Sequence, residues 1–314
     1  MRRFFSLTST LLFSLCLGMG SVTAECIGVV TAGGGADFWK LVERGARSAA
    51  AKIGTEVYVR GANNELNVEG QGALINTVLD RGCGALVLAP NSPERAVDVA
   101  LLKSINIATV YIDRDVGGAP MLIIKTDNYM AGALAGRKMA KALGGKGKVA
   151  LFRLDKSVVT TAAREQGFID EAVKGGLEVV VDVYLGTTVG SARFKALSIL
   201  NHMQDVQGIF TPNELTTLAT VVSLRQLERQ GSMVHIGFDS NRSINAAIVN
   251  KDIYGVVIQQ PFAMGYLAVY AAYQAMLGHQ PELQDQPLLW DTGVLFVDHS
   301  NINQAKVKQV LGLD

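Results

Sequence analysis

The sequence predicts an α/β fold of two similar lobes, each a doubly wound parallel sheet with helices on both faces. Three observations predict it. Short apolar runs bounded by turn residues recur along the chain, segments with apolar positions three and four apart lie between most of them, and the series is laid down twice, over residues 27 to 126 and 148 to 258. A short continuous apolar run suits a strand buried on both faces, and a helix between two such runs supplies the crossover that parallel pairing demands.

The elements follow in chain order. Residues 1 to 24, MRRFFSLTSTLLFSLCLGMGSVTA, read as an export signal to be removed after about Ala24: Arg2 and Arg3 begin it, residues 10 to 19 are apolar but too few for a stable span, and Val22-Thr23-Ala24 are small. Leu15 before Cys16 and Glu25 before Cys26 suit no lipid-modified cysteine, so soluble export is expected. IGVV (27 to 30), EVYV (56 to 59), ALVLA (85 to 89), ATVYI (108 to 112) and MLIIKT (121 to 126) are the strands of the first series, with helices in FWKLVERGARSAAAKI and PERAVDVALLKSI. KTDNYMAGALAGRKMAKALGGKGK turns from strand to helix and ends in a loop; KVALF (148 to 152), EVVVDVY, GIF, MVHIGF and YGVVI (254 to 258) then repeat the pattern. A long helix in QQPFAMGYLAVYAAYQAMLG and one last strand in LLWDTGVLFVD complete the chain. Two similar lobes with more than one crossing describe a clamshell.

Composition excludes several functions. Removing the signal leaves 27 basic against 28 acidic residues, a net charge of −1, which argues against a nucleic-acid partner. About 290 mature residues exceed a single core, so two domains are expected. Cys26 and Cys83 stand at the starts of the first and third strands; a disulfide between them and two separate buried thiols both fit. TAGGGADF has Phe38 where a dinucleotide fingerprint needs its third glycine, and VYVR ends in Arg60 where that fold needs an acid. GGKGKV lacks a P-loop's spacing, the four histidines have no metal-ligand spacing, and no G-x-S-x-G elbow occurs. No catalytic residue, metal or cofactor is expected, and the protein reads as no enzyme.

In open α/β sheets small ligands bind beyond the carboxyl ends of the strands. Asp113 and Arg114 follow ATVYI, Asn213 follows GIF, Asp239 follows MVHIGF, Gln259 and Gln260 follow YGVVI, and the turn after IGVV leads to Phe38 and Trp39. Two adjacent aromatics cannot both point the same way along a helix, so at least one is expected to face the cleft or solvent, where a ring plane suits the C–H face of a sugar. Arg164, near the start of the helix after KVALF, is either a solvated surface residue or a ligand contact.

DFWKLVERGA, VYIDRD, TDNYMAG, TTAAREQGF, DVQGIFTPNE, IGFDS, VVIQQPFAMGY and DTGVLFV, in this order, resemble the type I periplasmic binding proteins of the ribose/galactose-binding family, over essentially the full mature length. The resemblance implies lobes of residues 25 to 126 with 261 to 290 and 127 to 260 with 291 to 314, joined by three hinge strands near Thr126 to Asn128, Gln259 to Pro261 and Trp290 to Gly293. It implies a monomeric periplasmic protein that captures a monosaccharide or polyol in the cleft and delivers it to an ABC transporter permease. A sensor subunit signalling to a membrane kinase or chemoreceptor is the alternative. The family's ligand positions fall on Phe38, Trp39, Asp113, Arg114, Arg164, Asn213, Asp239 and, as the hinge glutamine, Gln260. Two features depart from the pattern: the turn GGGAD lacks a polar Asn, and the loop LGTTVGSAR has no aromatic to cover the sugar from the second lobe, Tyr184 being the nearest.

Overall fold

The computed structural model describes residues 26–279 and 288–313; the expected export segment and its cleavage point lie outside them. In the first lobe β1 (Cys26–Thr31), β2 (Glu56–Gly61), β3 (Ala85–Leu88), β4 (Ala108–Ile112) and β5 (Leu122–Lys125) alternate with α1 (Asp37–Ile53), α2 (Val68–Asp80) and α3 (Arg95–Ser104). The second lobe opens with α4 (Asn128–Ala142) and continues through β6 (Gly147–Arg153), α5 (Val159–Lys174), β7 (Leu177–Tyr184), α6 (Val189–His202), β8 (Gly208–Phe210), α7 (Glu214–Gln226), β9 (Val234–Phe238), α8 (Arg242–Val249) and β10 (Gly255–Ile258). The chain ends with α9 (Pro261–Met276), β11 (Leu288–Asp291), β12 (Leu295–Asp298) and α10 (Ala305–Leu311).

The duplication read from the apolar runs is a duplication of topology. One sheet has the order β2-β1-β3-β4-β5-β11 and the other β7-β6-β8-β9-β10-β12, so each strand of one lobe has a counterpart in the other. The pairings are parallel except for β12, which runs antiparallel to β10. Each sheet packs apolar side chains on both faces, as its unbroken Val, Ile and Leu runs require.

LLWDTGVLFVD forms two strands rather than the single one expected. Gly293, at φ +71°, breaks the run in a backbone conformation that L side chains avoid. β11 then stays in the first sheet beside β5, and β12 joins the second beside β10. The third crossing therefore occupies residues 292–294, with Trp290 and Asp291 still paired to Ile124 and Lys125. The other two crossings fall between β5 and α4 and between β10 and α9.

Cys26 and Cys83 are bonded, with 4.5 Å between their Cα atoms. Neighbouring parallel strands bring their starts together, at the end of the sheet away from the cleft. The bond closes a loop spanning 57 positions, the kind of constraint that contributes about 2–4 kcal/mol.

Each lobe also has one pair of helices in backbone contact. A side chain at Gly265 of α9 would strike the carbonyl oxygen of Val42 in α1, and one at Gly45 that of Phe262. In the second lobe a side chain at Gly132 of α4 would strike the carbonyl of Arg164 in α5, and one at Gly167 that of Tyr129. The α4–α5 contact thus sets the height of an arginine that reaches the cleft.

Candidate ligand-binding site

The strand ends of both sheets enclose a cavity of about 520 Å³ between the lobes. Phe38, Trp39, Asp113, Arg114, Arg164, Asn213 and Asp239 all line it. Gln260 does not: its amide donates to the carbonyl of Thr292, joining two hinge crossings, while the preceding Gln259 faces the cavity. Successive residues of an extended segment point to opposite sides, so the one-residue offset decides which glutamine meets a guest.

Phe38 and Trp39 begin α1, and both are buried, 8 % and 4 % exposed, with ring centroids 4.7 Å apart and planes near perpendicular. The two rings form an edge-to-face pair, and both reach the cavity. Trp39 Nε1 donates to Glu65 Oε1 at 3.3 Å. Glu65, on the loop after β2, also binds Arg114 Nη2, and Arg114 Nε donates to Asp113 Oδ2 at 3.1 Å. Asp113 and Arg114 therefore do pair with each other, and they line the cleft as well. Burial pushes the Glu65 carboxyl up, but Arg114 and the indole N–H outweigh it and hold it below the ordinary carboxylate range. For Asp113 burial wins, and its carboxyl stays raised despite Arg114.

On the second lobe Arg164 lies on α5, one turn after Thr160 and Thr161, which also line the cavity. It is 3 % exposed, so the surface reading does not hold. Its Nε donates to Asn128 Oδ1 at 2.8 Å, its Nη1 to the Pro212 carbonyl at 3.0 Å, and the guanidinium lies 3.9 Å from the centre of the Phe238 ring. Nη1 also stands 3.8 Å from Asp239 Oδ2. Asp239 Oδ1 accepts from Gln259 Nε2 at 2.8 Å, and the buried Gln259 Oε1 has no partner among the described residues. Burial pushes the Asp239 carboxyl up to about 6 against the pull of Arg164.

Asn213 caps α7, its Oδ1 accepting from Thr216 N at 3.1 Å and from the Thr216 hydroxyl. Glu214, the first residue of α7, crosses the cleft: its carboxylate accepts from the Phe38 backbone N–H at 3.4 Å and from Asn241 Nδ2 at 3.1 Å. Burial, with the Asp239 charge adding to it, pushes this carboxyl up to about 7.

Among the polar lining residues that the sequence reading leaves out of the ligand set are Glu65, Glu214 and Gln259. The strand-end rule finds Glu65 when applied to the second strand, where GANNE follows VYVR, and Glu214 adjoins Asn213 in the same TPNE turn. Tyr184 is 45 % exposed beneath Arg153 and does not line the cavity. The second-lobe wall carries Leu154, Val158, Val189, Leu215 and Leu218 instead. His235, as its strand position suggests, is core: burial holds it neutral, with its pKa lowered to about 3, and Nε2 lies 2.9 Å from the Thr211 hydroxyl. No helix of the described residues is long and apolar enough to cross a membrane.

The family model of the periplasmic binding protein domain matches residues 27–280. The chain is 24 % identical to a D-apiose import binding protein of Paraburkholderia graminis, over 75 % of this chain and 76 % of that one. It is 25 % identical to the ribose import binding protein of Escherichia coli, over 89 % and 94 %. A crystal structure of the periplasmic component of an ABC-type sugar transport system from Hahella chejuensis superposes with a TM-score of 0.80 at 33 % identity, covering 87 % of this chain and 99 % of that one. With the duplicated sheets, the triple crossing and the interlobe cavity, the match over most of its length means that this chain belongs to the periplasmic binding protein domain family.

Proposed function

We propose that the protein captures a neutral monosaccharide or polyol between its lobes and delivers it to the permease of an ABC importer. It does so as a periplasmic monomer released by cleavage after about Ala24. The observation that carries the reading is the convergence, from both lobes, of an aromatic pair with two sets of ionised and amide groups: Glu65, Arg114 and Asp113 on one side, Arg164, Asp239 and Gln259 on the other. Sugars offer adjacent hydroxyls that both donate and accept, together with an apolar C–H face, and this set answers both. The named relatives are import binding proteins for ribose and D-apiose, which favours import over signalling.

The magnitudes fit. A hydrogen bond to a charged group contributes roughly 1.5–3 kcal/mol net. Micromolar affinity needs about 8 kcal/mol beyond an association cost of at least ~4 kcal/mol. Five or six charged contacts and one aromatic stack reach that sum, and contacts from both lobes favour the closed form.

Arg164→Ala and Asp239→Asn test the site. Asn is the better replacement at 239 because φ is +62°, which Asn tolerates and Ala does not. Each variant is expected to fold and to lose sugar affinity by about 10- to 100-fold or more, measured by titration calorimetry over pentoses, hexoses and polyols. Unchanged affinity in both variants rejects the site.

A further inference from the structure

Five helices of the described residues cap their own starts with a side chain. Asn67, Asp127, Thr188, Asn213 and Asn241 each accept a backbone N–H from the first turn of α2, α4, α6, α7 and α8 respectively. The start of α1 has no such cap. Ala36, the residue before it, carries no side-chain acceptor, and the Asp37 carboxylate is engaged with Lys40. The Phe38 N–H finds its acceptor in the other lobe instead, on Glu214 Oε2 at 3.4 Å.

Glu214 is itself held in place. Its Oε1 accepts from Asn241 Nδ2 at 3.1 Å, and Asn241 Oδ1 accepts in turn from Ser243 N and Ile244 N at the start of α8, both at 2.9 Å. One carboxyl therefore serves a donor on each side of the cleft, and the contact between the lobes is direct. α1 meets the second lobe again at Arg44, whose Nη1 donates to the Gly312 carbonyl at 3.3 Å, just after α10, a helix packed into the second-lobe core with Ile244 and Val256. Parting the lobes would return the Phe38 N–H and its acceptor to water, so the bond contributes its net and not its gross strength, a bias toward the closed form of several-fold to about 10-fold.

We infer that Glu214 is a positioning residue for closure: it caps α1 from the opposite lobe, with Asn241 holding it there, and so keeps the lobes together without help from a guest. The capped helix is the one that carries Phe38 and Trp39, so the same bond sets the register in which the aromatic pair meets the second lobe. A closed fraction that exists before binding raises apparent affinity in proportion. The inference concerns the lobes and not the guest, and it holds whatever that guest is.

The distance between the lobes in sugar-free protein tests it. Val97→Cys and Phe194→Cys, at side chains 73 % and 75 % exposed that line no part of the cavity, place one spin label on each lobe, and pulsed dipolar spectroscopy reads their separation. Cys26 and Cys83, being bonded to each other, take no label. Glu214→Gln offers a single acceptor oxygen where the Asn241 amide and the Phe38 N–H need one each. Asn241→Ser keeps a capping side chain on α8 and leaves Glu214 without its amide donor. With both residues intact, the short separation of the closed form is expected to dominate without sugar; in either variant the closed-to-open ratio is expected to fall several-fold to about 10-fold. Thermal unfolding identifies the variants that fold, and one folded variant suffices. Sugar-free separations that coincide in parent and variants, all open or all closed, overturn the inference. Should no sugar bind, the proposed function falls, and the label separation still decides this inference by itself.

Discussion

Asp113 and Asp239 occupy the same place in the two lobes. Each follows the strand fourth in its sheet order, at φ +64° and +62°, and each donates its backbone N–H to the adjacent strand, at Ile124 and Val257. Their surroundings differ. Asp113 is bound by the next residue, Arg114, which Glu65 binds in turn, so the first lobe pairs its charges within itself. Asp239 has the Gln259 amide and an arginine no nearer than 3.8 Å. A duplicated backbone thus carries a self-neutralised wall on one side and an under-partnered one on the other. The second wall gains more from each hydroxyl it receives, because a poorly compensated charge profits most from a new donor.

The largest effect is expected where the second lobe positions its arginine. Gly132→Ala puts a methyl group into the Arg164 carbonyl, so α4 and α5 must separate and the guanidinium must shift. A displacement of about 1 Å costs on the order of 100-fold in a well-placed site, and the overpacking about 1–3 kcal/mol of stability. Gly265→Ala, the corresponding change between α9 and α1, is expected to cost similar stability while affinity stays within a few-fold. Thermal unfolding together with calorimetric titration measures both; equal loss of affinity in the two variants would erase the distinction between the lobes.

Next comes pH. Asp239 and Glu214, both on the second lobe, have carboxyls raised to about 6 and about 7, and a sugar hydroxyl donated to either favours the ionised form. Binding near neutral pH and below is therefore expected to release protons, and affinity to rise with pH up to about 7, roughly 10-fold for each pK unit by which the guest lowers them. The free protein moves the other way. Because the folded pKa values lie above the unfolded ones near 4, these groups add stability below about pH 4 and lose it as pH rises through 6 to 7. Calorimetry in buffers of different ionisation enthalpy counts the protons; none released, in wild type as in Asp239→Asn, would contradict the assignment.

The smallest effect concerns backbone strain. Asp239→Gly is expected to stabilise the free protein by up to ~1 kcal/mol, since glycine adopts positive φ without strain and a buried carboxyl with few partners is removed. Asp113→Gly gains nothing, because Arg114 loses a partner. Chemical denaturation distinguishes them, and equal shifts would mean that the two turns are energetically alike.

Much of the site was legible because it follows one topological rule. Asp113, Asn213 and Asp239 stand directly behind apolar runs, and a ligand in an open parallel sheet has nowhere else to sit. The resemblance points to Gln260, but Gln259 faces the cavity, since an adjacent pair of identical side chains carries no signal in the sequence of which points inward. Glu65 was hidden for a different reason: its importance comes from touching Trp39 and Arg114, which are 26 and 49 positions away. The final apolar stretch reads as one strand because Thr-Gly in its middle costs little in a pattern of hydrophobicity, yet Gly293 sends its halves to different sheets.

The sequence by itself determined the class of fold, the duplication and the chemical kind of most cleft residues, because apolar periodicity and turn residues act over a few positions and are written locally. Only the tertiary structure decided which charges neutralise one another, which glutamine faces the guest, how the two aromatics pack on each other, and which aliphatic side chains join the second wall. Those outcomes depend on side chains from distant segments meeting in one low-dielectric space, and the strength and sign of their interactions exist only once the lobes have brought them together.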